Sequence, residues 1–239
     1  VSMARPFLAD PDFVIKAEQG NSQEINTCIG CNQACLDHVF EGKIASCLVN
    51  PIACHETEFD LSPKDTVKKV AVIGAGPAGL AASTSAASMG HNVTLFDSAN
   101  EIGGQFNLAK KIPGKEEFYE TLRYFGVQIE KHGVELKLNT RVSAEELNES
   151  DFDEVIVATG IKPRTPDIPG IDHEKAVSYI DVLTNRKEIG KKVAVIGAGG
   201  IGFDVSEYLT HSGEATSQNI AGFMQAWGVA MNIEARGGI

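Results

Sequence analysis

Residues 68–79 read KKVAVIGAGPAG, and most of the fold follows from them. KKVAVIG (68–74) is a nearly continuous apolar run, of the kind that forms a parallel strand buried on both faces. PAGLAASTSAASMG (77–90) then reads as a helix of small residues, with Gly90 as its stop. HNVTLFD (91–97) is the next strand, and it ends on Asp97. Between the first strand and the helix, Gly74, Gly76 and Gly79 form G-x-G-x-x-G. That pattern is weak alone. It gains force here because it follows a strand, opens a helix and precedes an acidic strand end.

Each part of the pattern has a physical reason. The first glycine permits the tight turn, the second lets the backbone approach a pyrophosphate, and the third lets helix and strand pack closely. Free N–H groups and the helix dipole face the phosphate charge. Asp97 is placed to accept hydrogen bonds from an adenosine ribose. Gly74, Gly76, Pro77, Ala78, Gly79 and Asp97 are therefore candidate dinucleotide-binding residues. The alternative is an ordinary tight turn in a fold that binds no nucleotide.

KKVAVIGAG recurs at 191–199, followed again by a glycine and a helix-like run. Gly197, Gly199 and Gly202 repeat the fingerprint, so the chain holds two similar βα openings. No acidic or basic selector follows the second one. SGEATSQNIAGFMQAWGVA (212–230) reads as an insertion or loop. Strands at VELKLNTRV (134–142) and EVIVATG (154–160) complete the first unit. Phe118, Leu122, Phe125 and Ile129 place one apolar stripe on a helix from about Lys115 to Lys131. Alternating strands and helices mean an α/β fold with a Rossmann-like parallel sheet.

The segment before this fold is different. CIGCNQACLDHVFEGKIASC (28–47) puts four cysteines in twenty residues, spaced C-x2-C-x3-C-x11-C. Zinc sites usually pair ligands in two C-x2-C knuckles or add histidines. Three close cysteines and one remote fit cubane iron–sulfur ligation, in which a tight loop wraps the cluster and a distant thiolate completes it. Gly30 would let the loop pass close. Soft thiolates suit either metal, so spacing leaves a 4Fe-4S cluster and zinc both open for Cys28, Cys31, Cys35 and Cys47. Cys54 reads as a structural thiol and His55 as a structural histidine.

Composition narrows the classes. With 239 residues and a formal charge of −11, the chain is a poor candidate for nucleic acid or an anionic membrane. No segment reads as a signal peptide or membrane span, and crowded cysteines in an odd total argue against a secreted disulfide scaffold. A reducing, cytoplasmic setting is expected. The start at Val1 and the end at GGI suggest a piece of a longer chain. The expected layout is 1–27 as a lead, 28–60 as the cysteine segment, 61–185 as the first dinucleotide fold and 186–239 as the opening of the second.

ATG (158–160) with PRTPDIPG (163–170) resembles the crossover between the two domains of the pyridine-nucleotide:disulfide oxidoreductases. EIGGQ (101–105) resembles their loop along the flavin. More specifically, ARPFLADPDF, INTCIGCNQACLDHVFEGKIASCLVNP, VIGAGPAGLAA, EIGGQFNLAKKIPGKEEFYETLRY and GGIGFD resemble the old yellow enzyme-related iron–sulfur flavoproteins. The gap between Cys31 and Cys35 is most similar to the bacterial NADPH-dependent dienoyl-CoA-reducing branch. Amine dehydrogenases and 2-enoate reductases share the layout.

The resemblance implies FAD on the first fingerprint, with Gly104, Gln105, Thr159 and Gly160 beside it, and NADPH on the second. It implies the 4Fe-4S cluster on the four cysteines. FMN would sit in a barrel preceding residue 1, with Arg5 on its phosphate. The substrate would be a 2,4-dienoyl-CoA of unsaturated fatty acid β-oxidation. The family's catalytic acids lie in that barrel, and none falls in this chain.

Overall fold

The computed structural model describes residues 3–213, 215–217 and 219–232. They form two compact units, Val1–Asn107 with Glu117–Pro163, and Leu108–Glu116 with Arg164–Ile239.

The first unit opens with two short helices, α1 (Arg5–Ala9) and α2 (Phe13–Glu18), and a 3-10 turn, Ser22–Glu24. The cysteine segment follows, with a π-turn at Gln33–Asp37 that runs into α3 (His38–Phe40). The α/β part then alternates. β1 (Lys69–Ile73), α4 (Pro77–Ser88), β2 (Asn92–Phe96), α5 (Phe106–Ala109), α6 (Phe118–His132), β3 (Glu135–Lys137), α7 (Ala144–Asn148) and β4 (Glu154–Val157) come in that order. The strands make one parallel sheet in the order β3-β2-β1-β4.

The apolar run at 68–74 becomes the central strand because both of its edges are paired. Val70 lies opposite Val93 on one side and Glu154 on the other. α4 and α6 cover the sheet, and the core joins Val72, Leu80 and Leu95, all 0 % exposed, to Phe125 and Ile129. The stripe read on α6 is thus its buried face, with Leu122 packed against the same cluster. Gly133, at φ 68°, ends α6 in the left-handed conformation that glycine adopts without penalty.

Three expectations change. The strand expected at 134–142 is formed only at Glu135–Lys137. Beyond it Asn139 turns left-handed, at φ 52°, and the N–H groups of Asn139 and Thr140 go to the carbonyls of Ala99 and Asp97 instead of a ladder.

The second KKVAVIGAG makes no strand among the described residues, and Val193 and Ile196 are 51 % and 80 % exposed. In β1 the counterpart of Val193, Val70, is buried and that of Ile196, Ile73, is partly buried, with β2 and β4 flanking them. A parallel strand needs such neighbours, and the second copy has none among the described residues.

The stretch expected as a loop at 212–230 holds a helix, α10 (Ile220–Ala226), after α8 (Tyr179–Leu183) and α9 (Gly200–Thr210). Asn219 caps α10 by accepting the Gly222 N–H at 3.0 Å. Within the second unit, Lys115 pairs with Asp204 of α9 at 2.6 Å, and Lys111 donates to the Leu183 carbonyl at 2.8 Å.

Candidate functional site

Two sites can be built within the first unit. The first lies at the carboxyl ends of β1, β2 and β4. Gly74 turns the chain at φ 109°, and its N–H donates to the Phe96 carbonyl at 2.7 Å. A Cβ on Gly74 would overlap the Ala158 carbonyl, 2.8 Å from its carbon. A Cβ on Gly79 would overlap the Gly74 carbonyl oxygen and lie 3.0 Å from its carbon. These two glycines are therefore demanded by packing. Gly76 differs: a Cβ there meets nothing within 4 Å. It caps α4 in an extended conformation, with Pro77 at the first helical position, where a missing N–H costs nothing. The turn thus opens a cradle at a helix N-terminus, the arrangement that receives a pyrophosphate.

The flanking loops close on this cradle. The Gly103 N–H donates to the Ala75 carbonyl at 2.7 Å, and a Cβ on Gly104 would lie 3.2 Å from Gly76 Cα. Gln105 donates through Nε2 to the Ile161 carbonyl at 2.8 Å, which ties EIGGQ to the ATG turn. Gly160 is left-handed, at φ 72°, next to Thr159. Asp97 accepts the Ala75 N–H at 2.6 Å through one oxygen and the Ala99 N–H at 2.7 Å through the other. Each carboxylate oxygen keeps further lone-pair capacity for a ribose hydroxyl. All ten residues read from the sequence, Gly74, Gly76, Pro77, Ala78, Gly79, Asp97, Gly104, Gln105, Thr159 and Gly160, thus sit around one strand-end cradle. Open space at the second glycine makes it fit a dinucleotide.

The second site is the cysteine segment. Cys28, Cys31, Cys35 and Cys47 all line one narrow pocket, with Arg5, Leu8, Ile29, Asn32, Ala34 and Leu48. The pocket has no carboxylate in its wall, so its donors are soft. The loop is bent around it by two left-handed residues, Gly30 at φ 66° and Asn32 at φ 60°. Asparagine tolerates that region better than other side chains. The π-turn that follows Asn32 brings Cys35 inward, and the Ser46 N–H donates to the Ala34 carbonyl at 2.6 Å, which returns the chain to Cys47.

Burial pushes the Cys47 thiol up, the N–H groups of Val49 and Asn50 pull it back, and the neighbouring Cys28 and Cys31 push it up again. Opposition to a second charge is what a bound cation relieves. Among the described residues, no group of three or more His, Cys, Asp or Glu is arranged around a single ion. The four thiols line a common pocket without converging on one point. Soft thiolates in that number suit an iron–sulfur cluster, and they suit zinc as well.

Arg5 lies in the wall of this pocket and donates to Asn32 Oδ1. Cys54 is exposed and stands outside the pocket, and His55 Nδ1 lies 3.2 Å from the Glu58 carboxylate. Asn26 and Asn50 went unread in the sequence. Asn26 donates through Nδ2 to the Val49 carbonyl at 2.7 Å, and Asn50 to the Leu8 carbonyl at 2.9 Å. Together they staple both ends of the cysteine segment. Long-range side-chain bonds of this kind leave no periodic signal.

In the second unit the repeated fingerprint keeps its turn. Gly197 is at φ 117°, and a Cβ on Gly202 would overlap the Gly197 carbonyl oxygen and lie 3.0 Å from its carbon. Gly199 caps α9 in the extended conformation, as Gly76 caps α4. A Cβ on Gly197 would meet no neighbour within 4 Å, unlike one on Gly74, because no strand lies beside it among the described residues.

Residues 68–224 match the family described as pyridine nucleotide-disulphide oxidoreductase. The chain belongs to that family. Its similarity to individual members runs further, through the cysteine segment. It is 38 % identical over 224 residues to a metal reductase of Desulforamulus reducens, covering 92 % of this chain and 34 % of that protein. Among solved structures, a 2-naphthoyl-CoA reductase aligns with a TM-score of 0.84 and 38 % identity, over 87 % of this chain and 32 % of that one. Histamine dehydrogenase from Rhizobium sp. 4-9 aligns with a TM-score of 0.66 and 31 % identity, over 70 % and 25 %.

This pyridine nucleotide-disulphide oxidoreductase chain therefore spans about a third of the length of the relatives it matches. The two solved relatives are old yellow enzyme-related flavoproteins, which bears out the resemblance at the level of that flavoprotein family, and with it the α/β dinucleotide fold read from the sequence. Flavin-dependent oxidoreductase chemistry follows for the family. No helix among the described residues is long and apolar enough to cross a membrane.

Proposed function

We propose that this chain is the electron-transfer portion of an NADPH-dependent reductase. FAD would lie on the Gly74–Gly79 cradle, a 4Fe-4S cluster on Cys28, Cys31, Cys35 and Cys47, and NADPH on the Gly197–Gly202 turn. FMN would lie in a barrel outside this chain, with Arg5 reaching its phosphate. The substrate would be a 2,4-dienoyl-CoA, reduced in the cytoplasm during fatty acid β-oxidation.

The observation that carries the reading is the common pocket of four thiols in the same compact unit as the dinucleotide cradle. A flavin takes up a pair of electrons and can release them singly, whereas a cluster carries one at a time, so the two serve as a two-to-one-electron converter. This chain's own part is to hold each group. Gly76 leaves room for the pyrophosphate, Asp97 orients the ribose, and the N–H groups of Val49 and Asn50 point at the Cys47 sulfur. The closer likeness to a CoA-thioester reductase than to an amine dehydrogenase favours a thioester substrate.

The reading is tested by measuring iron, acid-labile sulfide, zinc and flavin per chain after anaerobic reconstitution. The expected result is about four irons and four sulfides, as a cubane requires, with FAD in the same sample. Stoichiometric zinc without sulfide would replace the electron relay with a structural metal.

A further inference from the structure

The helix that covers the flavin fold also grips the chain entering the cysteine pocket. α6 buries Phe125 and Ile129 in the sheet's core, and its Leu122 stands against Gly103 of the flavin loop, where an added Cβ would lie 2.9 Å from it. On the other side of the helix, Arg123 is only 22 % exposed. Its Nε donates to Glu120 at 2.7 Å, Nη1 to the Gln23 carbonyl, and Nη2 to the Ile25 carbonyl at 2.8 Å and to Thr27 Oγ1 at 3.3 Å. One guanidinium thus holds residues 23, 25 and 27, which lead from the 3-10 turn to Cys28. Only a planar fork of fixed donors can do this, because a lysine ammonium is a single point.

The grip continues to the far end of the pocket. Asn26, between two of the held residues, donates its N–H to the buried Asp10 carboxylate at 2.8 Å and its side chain to the Val49 carbonyl at 2.7 Å. Val49 lies two residues beyond Cys47. A rigid path therefore runs from Gly103 through α6 and Arg123 to residues 23–27, and on to both ends of the cysteine loop. Lys131 pairs with Glu24 on the same face, but that pair is half-exposed and adds little.

We infer that Arg123 is a positioning residue, a clamp that fixes the cysteine pocket against the flavin loop. The positional claim stands on the bonds above, and its bearing on electron transfer rests on the function proposed above.

The test is alkylation of the metal-free chain by iodoacetamide under native conditions, with the rate at each cysteine read by mass spectrometry. Exposed Cys54 is the internal reference. For Arg123→Ala, the Cys28 rate relative to Cys54 should rise roughly ten-fold through local opening. Arg123→Lys should fall between it and wild type, and Lys131→Ala should match wild type. FAD binding reports that the fold is intact. A folding Arg123→Ala variant with an unchanged Cys28 ratio overturns the clamp. If that variant binds no FAD, Arg123→Lys decides on the same ratio. Wild-type chain that takes up no iron and sulfide refutes the cluster and leaves the clamp standing.

Discussion

Gly79→Ala and Gly76→Ala should both impair flavin binding severely, but by different routes. In Gly79→Ala the added methyl meets the Gly74 carbonyl, which is backbone and cannot rotate away. Alanine gains about 1 kcal/mol over glycine in a helix interior. Overpacking costs about 1–3 kcal/mol and more where the obstacle cannot move, so the clash wins. The turn opens, the thermal midpoint drops, and flavin is lost with the fold. In Gly76→Ala the methyl meets no protein atom within 4 Å, and the backbone there, at φ −74°, is open to any residue. The midpoint therefore stays near wild type while FAD affinity falls by roughly a hundred-fold, because the methyl takes the place of the pyrophosphate. Thermal denaturation and flavin fluorescence titration of the two variants separate the routes. Equal midpoints for both, or flavin binding retained in Gly76→Ala, would remove the cradle from the account.

The second large effect concerns the thiols. Cys35→Ser keeps the size and hydrogen-bonding capacity of the side chain but replaces a soft ligand with a hard one. Iron and acid-labile sulfide after reconstitution should fall to roughly a quarter of wild type or less, the result expected when one thiolate of four is lost from a cubane. Cys54→Ser should leave both unchanged, since Cys54 is exposed and outside the pocket. Iron analysis of the two variants side by side gives the answer. A loss of iron from Cys54→Ser equal to that from Cys35→Ser would mean that the ligand set has been drawn wrongly.

What the sequence disclosed depended on how local the determinant was. The fingerprint was fully legible, because Gly79 answers a contact within its own turn, Gly74 one with Ala158 at the end of β4, Gly76 keeps the helix N-terminus open, and Asp97 closes the same turn through the Ala75 N–H. The α6 stripe was legible because burial follows helical period. The identical KKVAVIGAG copies show the limit of that logic. One is the central strand and the other forms no strand among the described residues, since strand formation depends on neighbours and not on the segment itself. SGEATSQNIAGF carries more turn-forming residues than a helix usually does, and the cap of α10, Asn219, is itself such a residue, so the sequence does not display α10. Arg123 carried no signal at all. Beside Glu120 and Thr27, two of its partners are backbone carbonyls about a hundred residues away, and carbonyls are written in no sequence.

Within one compact unit, α6 joins the dinucleotide cradle to the thiol pocket, the arrangement an electron converter needs. Low-temperature EPR of the reconstituted, FAD-loaded chain after anaerobic reduction tests that most directly. The expected result is a paramagnetic signal from a reduced iron–sulfur cluster in a sample that also carries bound FAD. A chain that is EPR-silent after reduction and holds one zinc on its four cysteines would contradict it.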